Sequence, residues 1–180
     1  MGGLRLSALA LVVALLAIGA GSARRSLAAP SGLERIDRVV DGDTVDLTNG
    51  AKIRLVQIDT PEVYFGVECY GPQASAETKR LLPPGTEVRL AAEPATDSVD
   101  SYGRLLRYVF RASDGLDVNV FLVAHGYAAP YFYDGRRGRY AEVLTRDALA
   151  ARARHEGLWG ACPGTPVDFD RGVSTGYPAH

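Results

Sequence analysis

Residues 36–62 read Ile36-Asp-Arg-Val-Val-Asp-Gly-Asp-Thr-Val-Asp-Leu-Thr-Asn-Gly-Ala-Lys-Ile-Arg-Leu-Val-Gln-Ile-Asp-Thr-Pro-Glu62, and their rhythm decides the fold. Apolar residues alternate or cluster in short β-branched runs at Ile36–Val40, Thr44–Leu47 and Ile53–Ile58, the pattern of three strands. Asn49-Gly50 between the second and third is a two-residue hairpin signal, because both positions tolerate positive φ. Pro61 has no N–H to give a ladder and stops the third strand.

Downstream, Gly71–Leu82 changes to helical composition, with Ala74, Ala76 and Leu81 among polar residues, and Pro83-Pro84 ends it. Two further strands are expected at Glu87–Ala92 and Leu105–Arg111, the second followed by the turn Ser113-Asp-Gly115. Asp117–His125 reads as a short helix with an Asp or Asn cap, closed by Gly126. Over Arg139–His155, Tyr140, Val143, Leu144, Ala148 and Ala151 recur on one helical face, and Glu142, Arg146 and Arg152 occupy the other. Five short strands with helices between and after them imply an α+β fold: a five-stranded, OB-type Greek-key barrel packed with about three α-helices.

The 180 residues, 47% of them hydrophobic, suffice for one domain with a proper core. Arg5 and the uncharged run Leu6–Gly21, ending in Gly21-Ser-Ala23, give residues 1–23 the form of a secretory signal. The alternative is a retained membrane anchor, favoured by Arg24 and Arg25 directly after the run. A linker at 24–34, a folded domain at 35–160 and a disordered, glycine- and proline-rich tail at 161–180 complete the expected organisation. The protein is thus expected to be exported: secreted, periplasmic or held at the cell surface. In such a chain Cys69 and Cys162, an even pair, suggest a disulfide, with two separate buried thiols as the alternative. Zinc is disfavoured, because there is no CxxC spacing and His125, His155 and His180 are scattered.

Three turn-flanked segments carry the chemistry: Asp41-Gly-Asp-Thr44, Arg54 to Asp59-Thr-Pro-Glu62, and Asp100-Ser-Tyr-Gly-Arg104. Each alone is a weak signal, since Asp-Gly marks turns and Asp-Thr-Pro marks strand ends. Together they supply carboxylates for a hard cation, a carboxylate to take a proton from water, and guanidinium forks that match phosphate oxygens. A structural ion-pair network is the bland alternative. The net charge of −1 gives no global field for nucleic acid. Basic and aromatic residues interleave only at Tyr131-Phe-Tyr133 with Arg136, Arg137 and Arg139.

In this order the three segments resemble the signature of the staphylococcal nuclease (thermonuclease) family, over about Asp37 to Trp159. The resemblance implies an OB-type barrel and a Ca2+-dependent, sugar-non-specific endonuclease that acts on DNA and RNA, preferably single-stranded, and leaves 3′-phosphate ends. It implies Asp43, Asp59 and the carbonyl of Thr60 as metal ligands with Asp41 behind them, and Glu62 as general base. Arg54 and Arg104 would stabilise phosphoryl charge, and Tyr102, Tyr131 and Tyr133 would line the nucleotide pocket. Apart from the resemblance, the interleaving reads Arg136 and Arg137 as a strand-tracking patch, with a solvated arginine turn as the alternative. A monomer without obligate protein partner is expected. Ser101 stands where the family often has lysine, and the 62–70 loop carries no basic residue. A non-catalytic binding module on the same barrel is the alternative.

Overall fold

The computed structural model describes residues 32–175. The expected signal at 1–23 and most of the 24–34 linker lie outside the described residues. Strands β1 (Glu34–Val39), β2 (Thr44–Leu47), β3 (Lys52–Leu55), β5 (Glu87–Ala92) and β6 (Leu105–Arg111) close a barrel in the order β1-β2-β3-β6-β5. All neighbours are antiparallel except β3 and β6, which run parallel, so the barrel is mixed. Ile36, Val45, Leu47, Ile53, Leu55, Val88 and Val109 fill its interior. With the helices packed on it, this is the expected α+β fold of OB type.

Helices α1 (Gly71–Leu81), α2 (Val118–Ala124) and α3 (Ala141–Ala153) fall where the periodicity places them, and a single turn, α4 (Leu158–Ala161), is added. Asp117 caps α2 by accepting from the Val120 N–H at 3.1 Å. On α3 the buried stripe is Ala141, Leu144, Ala148 and Ala151, with Leu149 left exposed. Asn119 of α2 is fully buried and plugs the place where the parallel ladder ends. Its Oδ1 accepts from the Val109 N–H at 3.0 Å and its Nδ2 donates to the Val56 carbonyl at 2.9 Å. Two buried backbone groups without strand partners are thereby satisfied.

Three features depart from the sequence pattern. The hairpin between β2 and β3 is a three-residue turn: only Gly50 has positive φ (85°), and Asn49 instead accepts the Ala51 N–H through its side chain at 2.9 Å. The run Ile53–Ile58 is broken at Gln57 (φ 65°), after which β4 (Ile58–Asp59) leaves the barrel and pairs with β7 (Ala129–Pro130). The Gln57 amide holds this break by donating to the Arg136 carbonyl at 2.6 Å and accepting the Gly138 N–H at 2.7 Å. Finally, the described part of the tail packs against the β4–β7 pair beside the barrel instead of being disordered. Val173 and Thr175 are buried, and the Phe132 N–H donates to the Phe169 carbonyl at 2.7 Å. Its apolar residues Val167, Phe169 and Val173 follow no helical or strand period, so composition hid their burial.

Cys69 and Cys162 form a disulfide, with a Cα–Cα distance of 5.9 Å across a sequence separation of 93. Loop-closure entropy over that span sets an upper figure of about 4 to 5 kcal/mol. Replacing both cysteines by serine should lower the unfolding free energy by about 2 to 4 kcal/mol in urea titrations. A loss under about 1 kcal/mol would mean that the denatured chain is already constrained.

Candidate active site

The Asp41-Gly-Asp43 turn joins β1 to β2, and it can press against the end of β4 because residue 42 is glycine. A Cβ there would lie 2.5 Å from Thr60 Oγ1. That close approach lets Thr60 donate both its N–H (2.9 Å) and its hydroxyl (3.0 Å) to Asp43 Oδ2. Asp43 Oδ1 receives the Thr44 hydroxyl at 3.3 Å and Arg54 Nε at 3.0 Å. Asp41 turns back on the same loop, its Oδ1 accepting the Asp43 N–H at 3.1 Å.

Arg54, on β3, is the hub. Its Nη1 donates to the carbonyls of Leu55 (2.7 Å) and Ile58 (2.8 Å), and its Nη2 donates to Asp59 Oδ1 at 2.6 Å. Burial alone would lower its pKa, but Asp43, Asp59, Asp41 and Glu62 together hold it above the ordinary arginine value. The acids show the converse. Burial, opposed by Arg54 and reinforced by Asp43, pushes Asp59 up to about 7. Burial and then Asp43 raise Asp41, while burial, Asp43 and Asp41 raise Glu62. Asp43 and Asp59 pair with the one buried guanidinium while Asp41 and Glu62 add their charge from further off, and the excess negative charge is what a divalent cation would relieve. The donors are all oxygen, which fits a hard ion such as calcium. Among the described residues no group of three or more His, Cys, Asp or Glu side chains is placed to hold a metal ion, so a cation held by Asp43 and Asp59 would need further oxygens from backbone, water or substrate.

Arg104 approaches from the other side. Asp100 organises its loop, accepting the N–H groups of Tyr102 and Arg104 at 2.9 Å each and pairing with Arg104 Nε at 2.7 Å. Arg104 Nη1 donates to Thr44 Oγ1 at 3.2 Å, so Thr44 links this arginine to Asp43. A cleft of about 350 Å³ opens beside the pair, lined by Arg54, Arg104, Tyr102, Tyr131, Tyr133 and Arg136 among others. Tyr102 and Tyr133 are 82% and 60% exposed, which leaves their faces to solvent rather than to the core. Arg104 stacks over Tyr102 at 5.3 Å, and the rings of Tyr131 and Tyr133 meet edge to face at 6.2 Å.

The structure therefore brings together Asp41, Asp43, Arg54, Asp59 and Thr60 in one network, with Arg104 and the three tyrosines at its mouth. Glu62 lies three residues past Asp59 with its side chain exposed. Arg136 lines the cleft while paired with Asp97 at 3.2 Å. Arg137 is placed apart, over the Phe132 ring at 4.4 Å and bonded to Thr145 at 3.0 Å. Sequence reasoning missed Thr44, Gln57 and Asp100. Asp100 was legible, as an Asx-type turn residue four before an arginine. Thr44 and Gln57 meet partners about 60 to 80 positions away, which no local pattern encodes.

Oxygen donors and arginines at the mouth of an aromatic cleft, on an OB-type barrel, define a class of site suited to phosphate esters. The chain belongs to the staphylococcal nuclease homologue family, whose model matches residues 52–161. It is 39% identical over 137 residues to endonuclease YhcR of Bacillus subtilis (strain 168), covering 69% of this chain and 11% of that protein. It is 33% identical over 130 residues to the SPbeta prophage-derived endonuclease YokF of the same organism, covering 69% and 43%. With the thermonuclease of Staphylococcus intermedius it shares 31% over 130 residues, covering 69% and 74%. The chain thus spans well under two thirds of the two Bacillus proteins.

The raised Asp59 has a stability consequence. Stability that its protonated form contributes is complete below the ordinary carboxylate value near 4, and is lost as pH rises through about 7. In chelator, the Tm of Asp59→Asn relative to the parent should be several degrees more favourable at pH 8 than at pH 5. Equal shifts at both pH values in thermal unfolding would remove the assignment.

Proposed function

We propose that this chain is an exported, calcium-dependent endonuclease that hydrolyses DNA and RNA without sugar specificity, prefers unpaired strands and leaves 3′-phosphate ends. The observation carrying the reading is the convergence of Asp43, Asp59 and Arg54 with Arg104 at the mouth of one aromatic cleft, in a chain whose relatives are named endonuclease and thermonuclease. Export rests on the form of residues 1–23, with cleavage of that segment as part of the proposal.

Asp43, Asp59 and the Thr60 carbonyl would hold the calcium ion, with Asp41 behind them. When bound, the ion supplies Lewis-acid charge for the phosphoryl oxygens. Glu62 accepts the proton of the attacking water. Burial and the neighbouring Asp43 and Asp41 raise its pKa, which makes it a stronger base than an ordinary exposed carboxylate. The two arginines divide the remaining work by how much of each fork is already used. Arg54, whose side chain is 12% exposed, spends three hydrogen bonds on Leu55, Ile58 and Asp59 and a further contact on Asp43. It chiefly fixes the two aspartates. Arg104, 25% exposed, commits Nε to Asp100 and one Nη1 contact to Thr44. Its remaining N–H groups meet the charge that builds on phosphorus oxygens in the transition state.

The exposed tyrosine faces suit bases that have left a duplex stack, at roughly 1 to 3 kcal/mol per stacked base. Stacking is indifferent to base identity and to the 2′-hydroxyl, in keeping with action on both nucleic acids. Release of acid-soluble nucleotides from denatured DNA is expected in millimolar calcium and abolished by excess EGTA; activity that survives chelation would sink the metal requirement. Folded protein inert in both conditions would favour a binding module instead. At saturating calcium, Glu62→Gln should lower kcat by at least about 100-fold with little change in KM. A loss within tenfold would remove Glu62 as the base.

A further inference from the structure

Residues 169–175 touch both halves of the site through contacts that the cleavage chemistry does not use. The Phe169 carbonyl anchors the segment to the backbone of Phe132, between two cleft tyrosines. The chain then passes Asp59 so closely that a Cβ on Gly172 (φ +76°) would stand 2.6 Å from Asp59 Oδ2. Immediately after, the Val173 N–H donates to that same oxygen at 2.7 Å. The Ser174 hydroxyl donates to Glu68 Oε1 at 3.0 Å, and Glu68 Oε2 accepts the Glu62 N–H at 3.1 Å. The Glu68 N–H in turn donates to the Glu62 carbonyl at 2.9 Å. Burial of Val173 and Thr175 fixes the segment at its far end. The Cys69–Cys162 bond ties its approach to the Glu62–Tyr70 loop.

We propose that residues 169–175 form a strap that positions Asp59 for cation binding, through the Val173 N–H, and the Glu62 backbone for proton transfer, through Ser174 and Glu68. Arg54 holds Asp59 Oδ1 and the strap holds Oδ2, so the carboxylate plane is fixed from both sides. Each carboxylate oxygen has two lone-pair sites, so one donor apiece leaves both oxygens able to bind a cation. The strap is therefore a support and not a competitor. The pattern is that of groups that orient metal ligands from behind, whose loss costs about 10- to 100-fold in affinity or activity.

The inference rests on the proposed function for its chemistry, and its first readout is calcium binding by the full chain, measured by calorimetry and by the calcium-induced rise in Tm. Gly172→Val, which drives a side chain into the Asp59 contact, should weaken calcium binding about tenfold. Its Tm in EGTA should fall by several degrees because valine strains a φ of +76°, so calcium affinity is compared on protein shown to be folded by circular dichroism. Ser174→Val should leave calcium affinity near that of the parent but lower kcat about three- to tenfold on denatured DNA at saturating calcium, with KM unchanged. Ser174→Thr, which keeps the hydroxyl, should restore it. If Gly172→Val does not fold, the Ser174 pair decides the matter alone. Calcium affinity and kcat within twofold of the parent in both variants would overturn the strap. Higher activity in either would overturn it too, since that would make the segment a shield. A parent chain that binds calcium more tightly than Gly172→Val yet cuts nothing would defeat the nuclease reading and leave the cation half of the strap standing.

Discussion

The acidic cluster at the mouth of this barrel depends on the guanidinium of Arg54. Asp43 belongs to the turn after β1, and Asp59 to the short β4 that has already left the barrel; nothing in the ladder itself requires the two carboxylates to approach. Arg54 bridges them at 3.0 and 2.6 Å while its other nitrogen accepts the geometry of the β3–β4 corner by donating to two carbonyls. A lysine, a point charge without a fork, could not satisfy four groups at once. The bridge is also why these acids tolerate burial, since an unpaired buried carboxylate is costly or takes up a proton. Asp59 sits near that limit, pushed up to about 7 even with its partner in place.

A charge imbalance of this kind is destabilising unless something is gained from it. Asp41, Asp43 and Asp59 gathered about one buried arginine lower the stability of the cluster, and the surrounding scaffold must hold them together. Thr60 fixes Asp43 with two hydrogen bonds, and Asn119 and Gln57 close the broken ladder beside them. The disulfide and the 169–175 segment restrain the Glu62 loop. Strain concentrated at one corner and restrained on every side is the ordinary signature of a functional site.

Much of this was legible in the sequence because it rests on short-range rules. The bounds of β2, β5 and β6 agree with the pattern residue for residue, and α1 differs from it only at Leu82. Period-two and helical patterning needs only neighbours in sequence, and turn residues mark the ends. What was illegible depends on distant partners. The kink at Gln57 is stabilised by Arg136 and Gly138, and β7 exists only because β4 needs an antiparallel mate. The packed tail has too few apolar residues to announce itself; a handful of contacts such as Val173 to Asp59, across 114 positions, order it. In the site, residue types and grouping were readable, but the sharing of work between the arginines was not, because it depends on how many N–H groups the fold has already used.

Net charge bears on how a polyanion would reach this site. At −1 for the chain there is no long-range attraction, and the loop between Glu62 and Tyr70 offers phosphate no cation. Arg136 is paired with Asp97, and Arg137 is turned toward Phe132. For the proposed nucleic-acid substrate, attraction is therefore confined to Arg104 and the cation, within roughly one Debye length of about 8 to 10 Å. Most of the binding free energy must come from stacking on Tyr102, Tyr131 and Tyr133, whose strength is little affected by salt. Affinity should then fall with ionic strength with a log–log slope nearer one or two than the six to ten of proteins that track the backbone with many cations. The same reasoning supports the proposed preference for unpaired strands: a duplex offers this surface only phosphates, for which it has few partners, whereas a single strand offers base faces, for which it has three rings.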